Sequence, residues 1–310
     1  MIDIVVPYYN DYDEKWRKIL FDYMEKEGST DRQVTGEERY RDWDCFKYWF
    51  RCVEKNCPWV NKVFLIVASE SQIPKWINRD NPKLRIVLHE EFLPKELLPT
   101  FNPMTFGSFI WNIKDLSDNY VACDDDYYFL NPISPNTFFI DGFPVYKDTE
   151  TKLEKFGAYW LEGTDGTFYQ SLNNGIDLQL KLNGDKSHWY ALDHLPVAHK
   201  KDFEGKIVKE NYDLFIKANS TSRFRNKDNI NSHVFTCLYK DTLPYYKFNI
   251  YRNSCYLSVR NDTNFENFGH YDMICFNDTQ LLKQEDFVAV KNRMVDFFEK
   301  RFPKKSTFEK

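Results

Sequence analysis

The chain has 310 residues, of which 42% are hydrophobic and 29% charged, a composition typical of a globular protein rather than a disordered one. Its 42 basic and 47 acidic side chains give a net charge of −5, which argues against a broad nucleic-acid-binding surface. No apolar run approaches the roughly 18 residues needed to span a bilayer. The first residues lack the basic segment of a signal peptide, so we predict none.

The seven cysteines are odd in number and form no C-x-x-C pair. That pattern predicts reduced, packed thiols and disfavours both a disulfide framework and a zinc site. Together with the lack of a secretion signal, it predicts a cytoplasmic protein.

Strand and helix patterns alternate over residues 1–130. Short apolar runs predict strands, and apolar residues at helical spacing predict helices. In chain order, the predicted elements are a strand at 2–7, a helix at 16–24, a loop at 28–42, a helix around 46–53 capped near Asp42 or Asp44, strands at 62–68 and 84–88, a helix at 105–113 and a strand at 120–123. The alternation predicts an open, mostly parallel α/β sheet flanked by helices.

The rest of the chain is predicted to add mainly helices. In chain order, the predicted elements are short β-like pieces with turns at 131–165, a helix at 167–182 followed by Gly184, an irregular loop at 193–201, a helix at 229–239, a strand at 271–276 and a C-terminal helix at 285–302. Because neither an internal repeat nor a clear linker is visible, we expect a single domain over 1–310.

Three adjacent carboxylates, Asp124, Asp125 and Asp126, follow the predicted strand at 120–123. Ligands of open α/β sheets bind beyond the carboxyl ends of the strands, and the polar loop at 10–13 follows another such end. Adjacent carboxylates repel one another, and a divalent cation that bridges a nucleotide diphosphate relieves that repulsion. A solvated turn is the equally weighted alternative.

Other polar segments carry side chains suited to catalysis. His194 is a candidate base because imidazole titrates near neutral pH; a packed or surface histidine is the alternative. Arg223 and Arg225 suit bidentate contacts to phosphate oxygens; surface salt bridges are the alternative. Asn277 and Asp278 follow a predicted strand. P-loop, Rossmann dinucleotide, nucleophile-elbow and zincin motifs do not occur.

Taken in order, these segments resemble the Stealth family. That family comprises bacterial capsule-polymer hexose-1-phosphotransferases and the catalytic subunit of the animal lysosomal-enzyme N-acetylglucosamine-1-phosphotransferase. All four of its conserved regions have counterparts here. The second region resembles Arg39-Tyr40, Asp42, Lys47-Tyr48, Arg51, Pro58-Trp59-Val60, Gln72-Ile73-Pro74-Lys75-Trp76, Leu98-Pro99-Thr100-Phe101-Asn102, Leu116-Ser117 and Asp125-Asp126. The others resemble residues 2–16, His194-Leu195-Pro196 with Phe224-Arg225, and Phe276-Asn277-Asp278.

The resemblance implies a reaction in which a sugar-1-phosphate moves from a UDP-sugar to a hydroxyl of a glycan acceptor and UMP leaves. The acceptor would be a sugar on a growing capsule or surface polysaccharide, often lipid-linked. The implied fold is a GT-A-like, Rossmann-like α/β sheet. Residues 1–130 would form the nucleotide-binding half, and residues 131–310 would complete the acceptor side with helical additions.

The resemblance also implies roles for individual residues. His194 would be the base, and Arg225 would steady the charge on the transferred phosphoryl group. Asp125, Asp126 and Asp278 would hold Mg²⁺ or Mn²⁺, which makes Asp126 and Asp278 catalytic as well as metal-binding. The further substrate-binding residues implied are Asn10, Asp13, Arg51, Thr100, Asn102, Arg223 and Asn277.

Two other functions remain open at this point. A metal-dependent glycosyltransferase with the same nucleotide-binding half would release UDP, and a non-catalytic relative would only bind glycan. The basic, aromatic helix at 285–302 also suits peripheral contact with the anionic inner face of the cell membrane. The alternative for that helix is packing on the core, with a solvated basic tail.

Overall fold

The computed structural model describes residues 1–28, 31–147, 154–163, 165–188, 190, 194–248 and 253–310. Its strands are β1 (Asp3–Pro7), β2 (Val63–Val67), β3 (Leu84–Leu88), β4 (Asn119–Ala122), β5 (Tyr127–Phe129), β6 (Phe139–Ile140), β7 (Phe143–Lys147), β8 (Val197–Lys200), β9 (Tyr246–Phe248), β10 (Ser254–Ser258) and β11 (Met273–Asn277). Its α-helices are α1 (Glu14–Glu27), α2 (Arg32–Thr35), α3 (Phe46–Asn56), α4 (His89–Phe92), α5 (Pro103–Gly107), α6 (Ala158–Leu161), α7 (Gly166–Asn183), α8 (Lys201–Glu210), α9 (Tyr212–Ser220), α10 (His233–Thr242) and α11 (Gln284–Arg301).

The main sheet has five strands in the order β3-β2-β1-β4-β8. Its first four strands run parallel, and β8 joins the edge antiparallel to β4. Strand β2 is buried at every position, as expected of a parallel strand covered on both faces. The predicted open, mostly parallel α/β sheet is confirmed.

The winding of the main sheet reverses between β1 and β4. The chain runs outward from β1 through β2 to β3 and then returns to β4 on the other side of β1. Open α/β sheets bind ligands at such a reversal, beyond the carboxyl ends of the strands. The loop at 8–13 leaves β1 at this point, and the acidic residues 124–126 leave β4.

A second sheet, β10-β11-β5, continues directly from the acidic residues. Strand β5 pairs antiparallel with β11, so that Tyr127 lies opposite Cys275, and the Phe276 N–H donates to the Asp126 carbonyl at 3.0 Å. Strand β10 runs parallel to β11 and places Tyr256 beside Cys275. Because side chains alternate along a strand, Tyr127, Cys275 and Tyr256 form one row on one face.

Helices α1 and α7 confirm the predictions for those segments. The Asp13 carboxylate accepts from the N–H groups of Lys15 and Trp16 at the start of α1, and Gly28 ends the helix with φ of 61°. An N-cap carboxylate and a left-handed glycine are common at the two ends of a helix. Gly184 lies at the end of α7, as predicted.

Two predicted helices in the first half differ from the structure. Helix α3 begins at Phe46 after Cys45, whose side chain makes no capping hydrogen bond, so the predicted cap at Asp42 or Asp44 is wrong. The predicted helix at 105–113 is only α5 followed by a short 3₁₀ turn at Ile110–Asn112. Helix α5 begins at Pro103, two residues before the predicted start. The Asn102 carboxamide caps it by accepting from the Met104 N–H.

Two segments in the second half of the chain also differ from their predicted structure. Much of the predicted loop at 193–201 is β8, because Val197–Lys200 pairs with the free edge of β4; residue 193 lies outside the described residues. The helix predicted from 229 begins at His233, since the Asn231 side chain accepts from the His233 N–H. Asparagine side chains compete with the helix for backbone groups in this way.

The C-terminal helix α11 packs on the core. Its buried residues are Phe287, Val290, Met294, Phe297 and Phe298, which recur at helical spacing and therefore share one side of the helix. This aromatic side is therefore unavailable to a membrane surface, and the predicted membrane contact through it is not supported. No helix within the described part of the chain has the length and apolar character to cross a bilayer.

The cysteines agree with the prediction of packed thiols. All seven are free, and all except Cys255 are buried. Burial raises the pKa of Cys45, Cys52 and Cys123, as expected of unreactive core thiols.

Candidate active site

Four carboxylates meet at the carboxyl ends of β1 and β4. Asp124, Asp125 and Asp126 follow β4, and the charge of Asp42, in the segment before α3, acts on Asp125. Burial, together with the charges of Asp124 and Asp42, raises the pKa of Asp125 to about 7. Burial and the charges of Asp124 and Asp125 also raise the pKa of Asp126. Crowding of this kind is relieved by protonation or by a cation.

One oxygen of Asp126 lacks a partner. The Cys275 thiol donates to Asp126 Oδ2 at 3.4 Å, whereas Asp126 Oδ1 is buried and makes no hydrogen bond. An unsatisfied buried acceptor costs about 1–3 kcal/mol, so this oxygen is the one best placed to take a ligand. Within the described residues, no three His, Cys, Asp or Glu side chains form a ready metal site.

Tyr8 holds Asp42 beside the acidic cluster. The Tyr8 hydroxyl donates to Asp42 Oδ2 at 2.7 Å, and the Tyr8 ring stacks on Phe46 with ring centroids 4.2 Å apart. Tyr8 follows β1 directly, and Phe46 opens α3. The packing therefore draws the segment 39–44 towards the carboxyl edge of the sheet.

Asp278 is held by the same segment. It accepts from Arg41 Nε at 2.9 Å, from Arg41 Nη2 at 2.5 Å and from Trp43 Nε1 at 3.1 Å. The side chains of Arg41 and Asp278 are 7% and 9% exposed. Burial raises the pKa of Asp278, and the contacts with Arg41 oppose that rise. Both oxygens of this predicted metal ligand thus carry hydrogen bonds to protein.

His194 lies between two tyrosine rings on the face of the second sheet. Its ring centroid is 5.5 Å from that of Tyr127 and 4.9 Å from that of Tyr256, and both pairs are edge-to-face. Although the side chain remains accessible to solvent, desolvation by the surrounding protein lowers the pKa of His194. The charge of Asp124 opposes this shift, and the charges of Arg225 and Arg39 add to it.

Arg225 lies within the electrostatic reach of the same groups. Desolvation and the charge of Arg39 lower the pKa of Arg225 to about 9, and Asp124 opposes that shift. Arg225 also appears among the charges that act on His194. The imidazole, two guanidinium groups and one carboxylate are therefore brought together from segments widely separated in the chain.

Asn102 positions the segment that carries Arg225. Its Nδ2 donates to the Phe224 carbonyl at 3.1 Å and to Asn229 Oδ1 at 2.8 Å. The neighbouring Phe101 N–H donates to the carbonyl of Arg223 at 2.8 Å. Thr100 and Asn102, both predicted to bind substrate, are buried, and the structure gives Asn102 a positioning role.

The loop after β1 is held by Gln72. Gln72 Oε1 accepts from the Asn10 N–H at 2.8 Å, and Gln72 Nε2 donates to the Asn10 carbonyl and to Asp13 Oδ2. Asn10 Oδ1 accepts from the Tyr12 N–H. Of the two residues predicted to touch the nucleotide, Asp13 serves as a helix cap, whereas the Asn10 side-chain NH₂ makes no hydrogen bond within the described chain.

Three other predicted substrate contacts have protein partners. Arg51 makes two hydrogen bonds to the Glu309 carboxylate. Arg223 Nη1 donates to the Glu96 carbonyl at 2.9 Å. Asn277 Nδ2 donates to the Tyr256 hydroxyl at 2.8 Å, which links Asn277 to the ring beside His194.

The sequence assigns no individual catalytic role to several residues of this site. Arg39 and Asp42 stand in the motif of the second family region, where Asp42 is predicted only as a helix cap, and Asp124 stands in the acidic triplet. Tyr127 and Tyr256 carry no local signal, because their positions beside His194 depend on strand pairing. A signal for Arg39 and Asp42 was thus present in the sequence, whereas none was present for the tyrosines.

Comparison with known proteins matches two segments of the chain to family models. Stealth protein conserved region 2 matches residues 39–145, and Stealth protein conserved region 4 matches residues 269–310. Capsular polysaccharide phosphotransferase WcwK of Streptococcus pneumoniae is 32% identical over 100% of this chain and 98% of its own length. The chain belongs to the Stealth family.

Other relatives are similar over the same span. Exopolysaccharide phosphotransferase cps2G of Lactiplantibacillus plantarum is 29% identical, with 100% of this chain and 96% of the relative covered. Receptor polysaccharide phosphotransferase WefC of Streptococcus gordonii is 29% identical, with 99% and 98% covered. Among solved structures, a galactosyltransferase LgtC complex with donor and acceptor sugar analogs gives a TM-score of 0.39 at 11% identity, with 94% of this chain and 95% of that one covered.

The two Stealth regions converge on the site. Conserved region 2 contains the segment 39–44 and the carboxylates 124–126, and conserved region 4 contains Asn277 and Asp278. The Arg41–Asp278 ion pair and the pairing of β5 with β11 join them directly.

Proposed function

We propose that this Stealth protein transfers a sugar-1-phosphate from a UDP-sugar to a hydroxyl of a glycan acceptor, with release of UMP, in the synthesis of a capsule or exopolysaccharide. The names of its relatives support a polysaccharide phosphotransferase. The observation that carries the proposal is the placement of His194 against Tyr127 and Tyr256, on the sheet face where the Cys275 thiol donates to Asp126. The charges of Arg225, Arg39 and Asp124 act on His194 there. Phosphoryl transfer requires a base for the hydroxyl and positive charge on the transferred group.

His194 is the base in this proposal. Its lowered pKa keeps the imidazole neutral at pH 7, as a proton acceptor must be. The acceptor oxygen forms a bond to the β-phosphorus of the donor, and the bond from that phosphorus to the bridging oxygen breaks. The hydroxyl proton passes to His194, and UMP leaves with the bonding electron pair.

Arg225, with Arg39, stabilises the charge on the transferred phosphoryl oxygens. With its pKa near 9, Arg225 stays protonated at pH 7. Two guanidinium groups that repel each other favour an anion between them, and arginine contacts phosphate in a bidentate manner. Removal of one such charge-stabilising donor typically lowers kcat by about 10²–10³.

Asp125 and Asp126 would hold Mg²⁺ or Mn²⁺ together with oxygens of the diphosphate, since the described residues offer no group of three such side chains that could hold the ion alone. Asp126 offers an unpartnered oxygen, and Asp125 is crowded by Asp124 and Asp42. We assign the cation to Asp125 and Asp126. Asp278 is held by Arg41 and Trp43 and joins the set only if those contacts are exchanged. When bound, the cation would neutralise charge on the diphosphate.

We also place the reaction in the cytoplasm. The seven free cysteines support a reducing compartment,. The partners proposed are the UDP-sugar donor and the glycan acceptor, and the net charge of −5 supports no role in nucleic-acid binding,.

Identification of the released nucleotide tests the function. The protein is incubated with Mg²⁺ and each of UDP-glucose, UDP-galactose, UDP-N-acetylglucosamine and UDP-N-acetylgalactosamine, with and without oligosaccharide acceptors. We expect UMP from at least one donor. Release of UDP instead would indicate a glycosyltransferase, and glycan binding without any turnover would indicate a binding protein; either result contradicts the proposal.

A further inference from the structure

A cavity of about 500 Å³ opens beside the edge strand of the second sheet. It lies along β10 and the residues that follow that strand, and its lining includes Tyr256, Arg260, Asp262, Asn267 and Phe268. The volume lies within the range of about 300–1,000 Å³ typical of small-ligand sites. None of the residues assigned to donor or metal binding lines it.

Tyr256 lies at the border of this cavity. Tyr256 is one of the residues that line the cavity, and its ring meets the His194 ring edge-to-face, with centroids 4.9 Å apart. The Tyr256 hydroxyl accepts from Asn277 Nδ2 at 2.8 Å, which fixes the ring, and the residue is still 47% exposed. Tyr256 therefore links the cavity to the candidate base, because one residue contacts both.

Most of the other lining residues are polar, and three of their side chains have no partner in the described chain. The side chains of Arg260, Asp262 and Asn267 make no hydrogen bond or ion pair within the described chain. A guanidinium, a carboxylate and a carboxamide together offer donors and acceptors in several directions. Two aromatic rings, Tyr256 and Phe268, supply apolar surface at the same place.

We propose that this cavity is the subsite for a sugar unit of the acceptor glycan, which it holds next to His194. A pyranose ring presents one apolar face and a rim of hydroxyl groups, and these match an aromatic surface bordered by hydrogen-bonding side chains. The assignment rests on the proposed function, because it names where the attacking glycan lies. Arg260 and Asp262 carry opposite charges, which leaves the cavity no net charge from these two residues and favours a neutral sugar over a diphosphate.

Direct binding tests the subsite without turnover. Saturation-transfer NMR is recorded with methyl glycosides of glucose, galactose, N-acetylglucosamine and N-acetylgalactosamine, in the absence of any nucleotide. We expect transfer to at least one glycoside, weakened about fivefold or more in Asn267→Ala and in Asp262→Asn, the scale expected for loss of one hydrogen bond. Lys206→Ala, in a separate cavity along α8, is the matched control and should bind as the parent does.

Parallel assays separate this inference from the proposed function. The circular dichroism spectra and melting temperatures of the same variants should match those of the parent. Their rate of UMP release from a UDP-sugar, with water as acceptor, should stay within twofold of the parent's rate. Binding that is unchanged in both variants, or absent for every glycoside, overturns the subsite. Binding that depends on Asn267 and Asp262 in a protein that never releases UMP supports the sugar site while contradicting the phosphotransferase.

Discussion

Arg51 and Glu309 form a buried, bidentate ion pair that fastens the end of the chain to α3. Arg51 Nε and Nη2 donate to the two Glu309 oxygens at 2.8 and 2.9 Å, and Arg51 Nη1 donates to the Phe302 carbonyl at 2.7 Å. The two side chains are 6% and 4% exposed. Arg51, implied by the resemblance to bind substrate, therefore has its donors engaged by the C-terminal segment.

Glu309→Ala should lower the free energy of unfolding by about 3 kcal/mol, the lower end for a broken buried pair, because the buried Arg51 charge keeps only the half-exposed Glu299 carboxylate at 3.3 Å. Burial opposes ionisation of Glu309, but hydrogen bonds from Arg51 and Ser306 outweigh it and keep the pKa of Glu309 below its ordinary value. The stabilisation is thus present at neutral pH and is lost as acidification protonates Glu309. Urea unfolding at pH 7 and pH 3 measures both effects. Glu285→Ala, at an exposed site on α11, is the control; an equal loss in the two variants would contradict the ion pair's role.

His194→Ala should lower kcat by about 10²–10⁴, the usual contribution of a general base, while the dissociation constant of the UDP-sugar changes little. Steady-state UMP release and equilibrium binding of the donor measure the two quantities. His270→Ala, which removes an exposed histidine outside the site, is the control. Full turnover by His194→Ala would remove this residue from the mechanism.

The pH dependence should follow the charges around His194. Desolvation, Arg225 and Arg39 lower the pKa of His194, so the fall of kcat/KM on acidification should begin below the ordinary titration range of histidine,. Arg39→Gln removes one of the positive charges and should move that fall to higher pH. Arg79→Gln, which alters an exposed pair with Glu70, should leave the profile in place. A profile unchanged by Arg39→Gln would place Arg39 outside the field of the base.

Asp126→Asn should raise the Mg²⁺ or Mn²⁺ concentration needed for half-maximal activity at least tenfold, because it replaces the oxygen that we assign to the cation. EDTA should abolish UMP release by the parent, and added cation should restore it. Asp213→Asn, at an exposed carboxylate in the first turn of α9, is the matched control and should keep the parent's metal requirement. Equal activity of the parent in EDTA would exclude a cation at this cluster.

Local sequence patterns predicted the helices and strands correctly where burial of apolar side chains alone decides the structure. The run Val63–Val67 is apolar throughout, and the structure shows it as the buried strand β2. The spacing of the five apolar residues in α11 predicts one buried side, and the structure buries all five. The predictions failed at two kinds of position. At Asn231, a side chain takes a backbone N–H and delays the start of α10. At β8, a segment without a strand pattern pairs with the open edge of β4.

The sequence by itself determined the alternation of strands and helices and the segments that carry polar groups, because periodicity and motif spacing are properties of neighbouring residues. Only the tertiary structure decided which of those groups meet. Arg41 and Asp278 lie 237 positions apart, and Tyr127 and Tyr256 enclose His194 only through the register of β5, β11 and β10. Register and packing depend on the whole chain at once, so no local pattern encodes the side chains around His194.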